Sequence, residues 1–208
     1  ARHHDVSEGA LFFGAGLDDV LKLLVHALTT EGDAVLVHVP TFPRYALEAG
    51  LHGCRVVSVE SAAPERTDLA ALDAALARER VAMAFICSPN NPTGERFPVE
   101  TISDLASRHQ DSLFVVDEAL IDPLERGSLS LPSALRNVIV LRTFSKFFGL
   151  AGLRIGYAVA DPRLVSVAEV GRPPFNLSLP SMHAAIAALK DAAFLESSRA
   201  AFATERAF

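Results

Sequence analysis

Lys146 stands among Phe144, Phe147, Phe148 and Leu150 in the stretch LRTFSKFFGLAGLRIGYAVA, residues 141–160, which is too apolar for a solvated face. Eight residues on, Arg154 lies in a run that otherwise reads as strand. A lone buried ammonium or guanidinium is costly, so each of these cations requires either a partner or a chemical task. Further polar groups follow apolar runs: SPNNPTG at 88–94, Asp117 closing FVVD, and Thr143 and Ser145 after VIVLR, while GAGLDD opens a helical pattern. Each has an ordinary structural reading. GAG before a helix suits a plain turn as well as backbone contact with a phosphate. NNPTG has turn chemistry, Asp117 suits a helix cap, and Lys146 could run along apolar surface to solvent. Their joint occurrence in this order is what points to one site.

The elements that must position them alternate. LDDVLKLLVHAL, residues 17–28, places Val20, Leu21, Leu24 and Leu28 on one helical face, with Asp18 and Asp19 at the end where carboxylates suit the helix dipole. AVLVHVP reads as a strand ended by Pro40, followed by a helix over about 43–51, a strand RVVSVE and a helix over about 68–77. VAMAFICSP, SLFVVDEAL, VIVLRT and LRIGYAVA read as strands, with PVETISDLASRHQ a helix between the first two. Apolar strands separated by helices predict an α/β fold with a mostly parallel, doubly wound sheet sandwiched by helices in three layers. Ligands in such sheets lie beyond the carboxyl ends of the strands, where the polar groups above fall. After Asp161 the pattern turns helical and is broken by GRPPFN, which places a domain boundary near Pro173 and divides the chain into 1–173 and 174–208.

Bulk properties exclude several classes. The 208 residues are 50% hydrophobic and 21% charged, an ordinary globular composition. A net charge of −6 without a basic cluster argues against nucleic acid as the main partner. No apolar run approaches the roughly 18 residues of a membrane helix, and ARHHDVSEGA has no export-signal pattern. Cys54 and Cys87 lie far apart and outside metal-ligand spacing, so free thiols in a reducing cytoplasm are expected, with no metal.

GAGLDDVLKLL, VPTFPRY, CSPNNPTG, VVDEALID, TFSKFFGLAGLRIGY and RPPFNLS, taken in order, resemble the class I/II aminotransferases of the fold type I pyridoxal-phosphate enzymes, above all those acting on histidinol phosphate and aromatic amino acids. The resemblance runs nearly end to end. It implies that Lys146 attaches covalently to the aldehyde of pyridoxal 5'-phosphate and later shuttles the substrate α-proton, helped by burial that favours the neutral amine. It assigns the cofactor phosphate to Arg154, the hydroxyls of Thr143 and Ser145, and the backbone donors around Gly16, Leu17 and Asp18. Asp117 pairs with the pyridine nitrogen, Asn91 donates to the 3-hydroxyl oxygen, and Phe42 stacks on the ring. It also implies cis peptide bonds at Val39–Pro40 and Asn91–Pro92, a symmetric homodimer, and an amino acid and a 2-oxo acid as substrates.

Two departures qualify that resemblance. Leu120 stands where the family usually has a tyrosine that hydrogen-bonds the 3-hydroxyl oxygen, and threonine-phosphate decarboxylases share an apolar residue there. Decarboxylation is therefore an alternative to transamination, and a catalytically silent scaffold is a second. The chain also reads as starting after the family's N-terminal arm and stopping before most of its small domain, whose arginine binds the substrate carboxylate. Arg172 does not match that arginine by position and reads as structural.

Overall fold

The computed structural model describes residues 1–61, 63 and 66–205. Seven strands form one sheet: β1 (Leu11–Gly14), β2 (Ala34–Val39), β3 (Arg55–Glu60), β4 (Val81–Cys87), β5 (Leu113–Asp117), β6 (Val138–Thr143) and β7 (Gly156–Val159). Their spatial order is β1-β7-β6-β5-β4-β2-β3, and β3, β2, β4, β5 and β6 are parallel neighbours. β7 runs antiparallel to both β6 and β1, so it alone is reversed. The mostly parallel sheet expected from the apolar runs is present. β1 was not anticipated, because LFFG is too short to carry a period-2 pattern.

The helices are α1 (Leu17–Leu28), α2 (Arg44–Leu51), α3 (Leu69–Arg78), α4 (Val99–Arg108), α5 (Leu131–Ala134), α6 (Pro162–Gly171), α7 (Leu179–Ala188) and α8 (Ala192–Glu205). α1, α2 and α6 cover one face of the sheet, burying Leu21, Leu24, Tyr45, Ala49, Val165 and Ala168 against Val35, Phe85, Val115 and Ile139. α3, α4 and α5 cover the other, where Leu72, Ile102, Leu105 and Leu131 meet Leu36, Ile86, Val116 and Val140. Each such valine, leucine, isoleucine or phenylalanine side chain, fully buried, contributes about 1.5–3 kcal/mol. The expected boundary near Pro173 falls between α6 and α7, and Ala185 of α7 and Leu195 of α8 join the second core. Among the described residues no helix is long and apolar enough to cross a membrane.

Strand alternation sorts the residues at the carboxyl edge. Val115, Asp117, Leu141 and Thr143 share the α1/α2 side, while Val116, Glu118, Val140 and Arg142 share the other. Glu118 and Arg142, each 3% exposed in the side chain, form an ion pair at 2.7 Å. Arg142 also donates to the carbonyls of Glu125 and Arg126, and Glu118 accepts from the Ser128 amide at 2.7 Å. Together they fasten the 118–128 loop beneath the sheet edge.

His38 of β2 is a second fully buried polar group. Its Nε2 accepts from the Cys87 amide, and its Nδ1 faces the Thr67 hydroxyl, which itself donates to Glu95. That pattern requires a neutral ring with its proton on Nδ1. Burial lowers the pKa from 6.5 to about 4, with Glu95 opposing. The unfolded chain therefore binds the proton more readily, so this contribution to stability is complete above pH 6.5 and declines as pH falls toward 4. Urea denaturation at pH 7 and pH 5 should show a loss of about 2 kcal/mol from this group on acidification. His38→Asn should flatten that dependence, and an unchanged slope would rule His38 out as its source.

Candidate active site

Beyond the carboxyl ends of β4, β5 and β6 lies a cavity of about 190 Å³. It gathers Leu17, Asp18, Phe42, Asn91, Asp117, Thr143, Ser145, Lys146 and Arg154 from segments distant in sequence. Gly16 stands just behind, against the Arg154 guanidinium. Tyr45, Cys87, Ala119, Leu120 and Ala151 also line it. A second cavity of about 430 Å³ shares Ala119, Leu120 and Lys146 and reaches Phe147, Arg199 and Phe202 near α8.

Gly16 has φ 87°, a left-handed value that glycine adopts without strain. A Cβ there would lie 2.3 Å from Arg154 Nη2, so only glycine lets the guanidinium close over the start of α1. A Cβ on Gly156 would likewise meet the Leu17 amide nitrogen at 2.7 Å, so β7 presses directly on this helix start. The loop is braced from behind. Asp19 accepts from the Ala15 amide at 2.8 Å, and Asn176 donates to the Phe13 carbonyl. Arg172 donates to Asn176 and pairs with Glu169, which is the structural part expected of it. Asp18 lies between two guanidiniums, 3.6 Å from Arg44 and 3.5 Å from Arg154.

Asp117 ends β5 and is 3% exposed. Burial pushes its pKa up, while hydrogen bonds from Tyr45 Oη to Oδ2 at 2.8 Å and from the Ala119 amide to Oδ1 at 2.9 Å pull it down. Burial and then the Asp117 charge raise the Cys87 thiol to about 12, which keeps it protonated. Phe42 packs edge-on to Tyr45, which stacks on Phe85. Asn91 is exposed at the rim, and the neighbouring Asn90 builds its loop: it accepts from Thr41 and donates to the Pro40 carbonyl, tying the Phe42 segment to the Asn91 segment. Val39–Pro40, Ser88–Pro89 and Asn91–Pro92 are cis.

Two expectations are corrected. Lys146 is exposed, because its segment turns sharply: Gly149 donates to the Lys146 carbonyl and Leu150 to the Phe144 carbonyl. That turn sends Phe144 and Phe148 into the core and leaves the amine at the cavity mouth. Arg154 does not belong to a strand. It has φ 50° after the short helical turn Ala151–Leu153, and its side chain is 48% exposed. Thr143 lines the cavity, but its hydroxyl donates to the Ile155 carbonyl and accepts from the Ser145 amide, so its hydrogen is already engaged. Tyr45, Asn90 and the Glu118–Arg142 pair escaped sequence reasoning.

A three-layer α/β domain with a lysine, an aspartate and an anion cradle at its carboxyl edge defines the large-domain class of fold type I enzymes. The family model for aminotransferase class I and II matches residues 1–208, and the chain belongs to that family. It is 39% identical over 203 residues to histidinol-phosphate aminotransferase 1 of Bacillus cereus, covering 94% of this chain and 54% of that one. It is 40% identical over 200 residues to the histidinol-phosphate aminotransferase of Moorella thermoacetica, covering 93% and 51%. The chain thus spans about half the length of the curated relatives it matches. The structure of histidinol-phosphate aminotransferase from Sinorhizobium meliloti in complex with pyridoxal-5'-phosphate superposes with a TM-score of 0.88 at 34% identity, over 95% of this chain and 55% of that one. L-threonine-O-3-phosphate decarboxylase from Porphyromonas gingivalis, at 22% identity and a TM-score of 0.79, shares the fold.

The cradle geometry can be tested with two glycines that share a positive φ. Gly32 has φ 86° with open space around its Cα, whereas Gly16 at φ 87° faces Arg154. Alanine should cost about 1–2 kcal/mol in urea denaturation at Gly32 and more at Gly16, where φ 87° with ψ 170° and the Arg154 contact add to the backbone strain. Only Gly16→Ala should also weaken pyridoxal-phosphate binding, measured by equilibrium titration, because only it displaces the guanidinium.

Proposed function

We propose that the protein is a pyridoxal-phosphate-dependent aminotransferase moving an amino group between an amino acid, of the histidinol-phosphate or aromatic type, and a 2-oxo acid. The observation that carries this reading is the convergence of Lys146, Asp117, Asn91 and Arg154 on one cavity. The cradle fits a phosphate: the free amides of the first turn of α1, the Arg154 guanidinium closed over Gly16, and Ser145 form a donor set for an oxyanion. The bound cofactor supplies an electron sink at the substrate α-carbon.

The chain's own groups divide the remaining tasks. Lys146, exposed at the mouth, would hold the cofactor through its amine and would then be the base that takes the substrate α-proton. Asp117 would hold a proton on the ring nitrogen, Phe42 would bound the ring face, and Asn91 would donate to the 3-hydroxyl oxygen. Asp18 contributes its backbone amide, while its carboxylate lies between Arg44 and Arg154. Thr143 acts through the loop it fixes. Residues 1–173 form the cofactor-binding large domain, 174–208 lead toward a small domain, and the working unit is a cytoplasmic homodimer.

Leu120, 41% exposed at the junction of the two cavities, offers no hydroxyl to the cofactor and favours a second reading, amino-acid decarboxylation on the same scaffold. Carbon dioxide release without any requirement for a 2-oxo acid separates the two.

Borohydride reduction of the protein with pyridoxal phosphate, followed by peptide mapping, should tag Lys146. A tag on Lys22 or Lys190, the remaining lysines, overturns the assignment. Asp117→Ala should slow abstraction of the α-proton by a few orders of magnitude, about 3–5 kcal/mol, while much of the cofactor binding is retained. Near-normal turnover by that variant refutes the role given to Asp117.

A further inference from the structure

We propose that Tyr45 is the positioning residue of Asp117, its phenol fixing one carboxylate oxygen so that the other groups of the site meet a singly oriented carboxylate. This rests on the aminotransferase reading for its purpose, but the contact itself does not.

Three observations converge. Tyr45 is fully buried, and its ring is held by stacking on Phe85 at 4.7 Å with planes 7° apart, so the hydroxyl has little freedom to swing away. That hydroxyl donates to Asp117 Oδ2 at 2.8 Å, and the Ala119 amide donates to Oδ1. Two donors on the two oxygens set the plane of the carboxylate and leave a lone pair on each for a cavity partner. Burial and the charge of Asp117 both raise the Tyr45 pKa, so the phenol remains a donor.

The other titratable groups near Asp117 do not supply this contact. Glu118 and Asp18 are acidic and disfavour its charge. The Cys87 thiol is directed at the Pro89 carbonyl, and Lys146 and Arg154 stand on the cavity wall without a hydrogen bond to Asp117 in this structure. Among the described residues, Tyr45 is therefore the one side chain that hydrogen-bonds this carboxylate. Removing its hydroxyl leaves a buried acid with the Ala119 amide alone, and hydrogen bonds of this kind matter most when the acceptor is charged.

Tyr45→Phe keeps the ring, its stacking and its volume. Carboxyl-labelled aspartate NMR on the protein without cofactor, with Asp117→Asn identifying the resonance, should show Asp117 titrating at higher pH in Tyr45→Phe than in the parent. With pyridoxal phosphate bound, the same variant should lose roughly ten- to a hundredfold in kcat at neutral pH, and the acidic limb of its pH profile should move upward while KM changes little. An unchanged Asp117 titration in a variant with native circular dichroism overturns the proposal. A shifted titration in a protein that binds no pyridoxal phosphate upholds the contact and refutes the aminotransferase reading instead.

Discussion

The ion pair between Glu118 and Arg142 is the constraint on which the site's geometry depends. Each residue is the immediate chain neighbour of a cavity residue, Asp117 and Thr143, and strand alternation sends the two pairs to opposite faces. Fixing the ion pair on one side therefore fixes the reactive side chains on the other. Two charges with 3% exposure would be expensive if left incomplete. Two backbone carbonyls and the Ser128 amide share their hydrogen-bonding capacity, which binds the 118–128 loop into the same unit. The chain thereby spends a buried charge pair on orientation, in a place where apolar residues would pack as well but orient less.

The electrostatics of the cavity follow a gradient from its floor to its rim. At the floor, Asp117 is desolvated and relies on neutral donors. At the rim, Arg154, Arg44 and Asp18 are partly exposed, so their mutual attraction is softened by water. A ligand with an anionic end and a polar aromatic ring meets matching chemistry at both levels. In the proposed reading, a phosphate would meet cations that need no large desolvation, while a ring nitrogen would meet a carboxylate that water no longer screens.

Much of this was legible in the sequence because it depends on local patterns. α1 occupies Leu17–Leu28, the stretch chosen by its apolar period and its leading aspartates. Nine of the ten expected site residues line the cavity, since strand-end polar residues in an α/β sheet have few other places to go. What escaped reading depends on tertiary structure. Apolar neighbours of Lys146 suggested burial, but in a turn the side chains of Phe144 and Phe148 point inward while that of Lys146 points outward. Tyr45 sits on an amphipathic helix face where a tyrosine looks like any core aromatic, and its partner is 72 residues away. Glu118 and Arg142 were hidden for the same reason, 24 residues apart, the one just after β5 and the other on β6.

The reversed strand β7 has a consequence for the order in which the molecule is made. Leu11 pairs with Val159, so β1 waits for a partner synthesised 148 residues later. At about 5–20 residues per second, a ribosome needs roughly 7–30 s to cover that distance. During that interval the parallel strands β2 to β6 can assemble beneath α3 and α4. The start of α1, however, lacks the surface around Gly156 on which it rests. The start of α1 is thus encoded before the parallel strands and its surroundings are completed only with β7. A nascent chain interrupted before β7 carries most of its sheet without the surface on which the start of α1 rests.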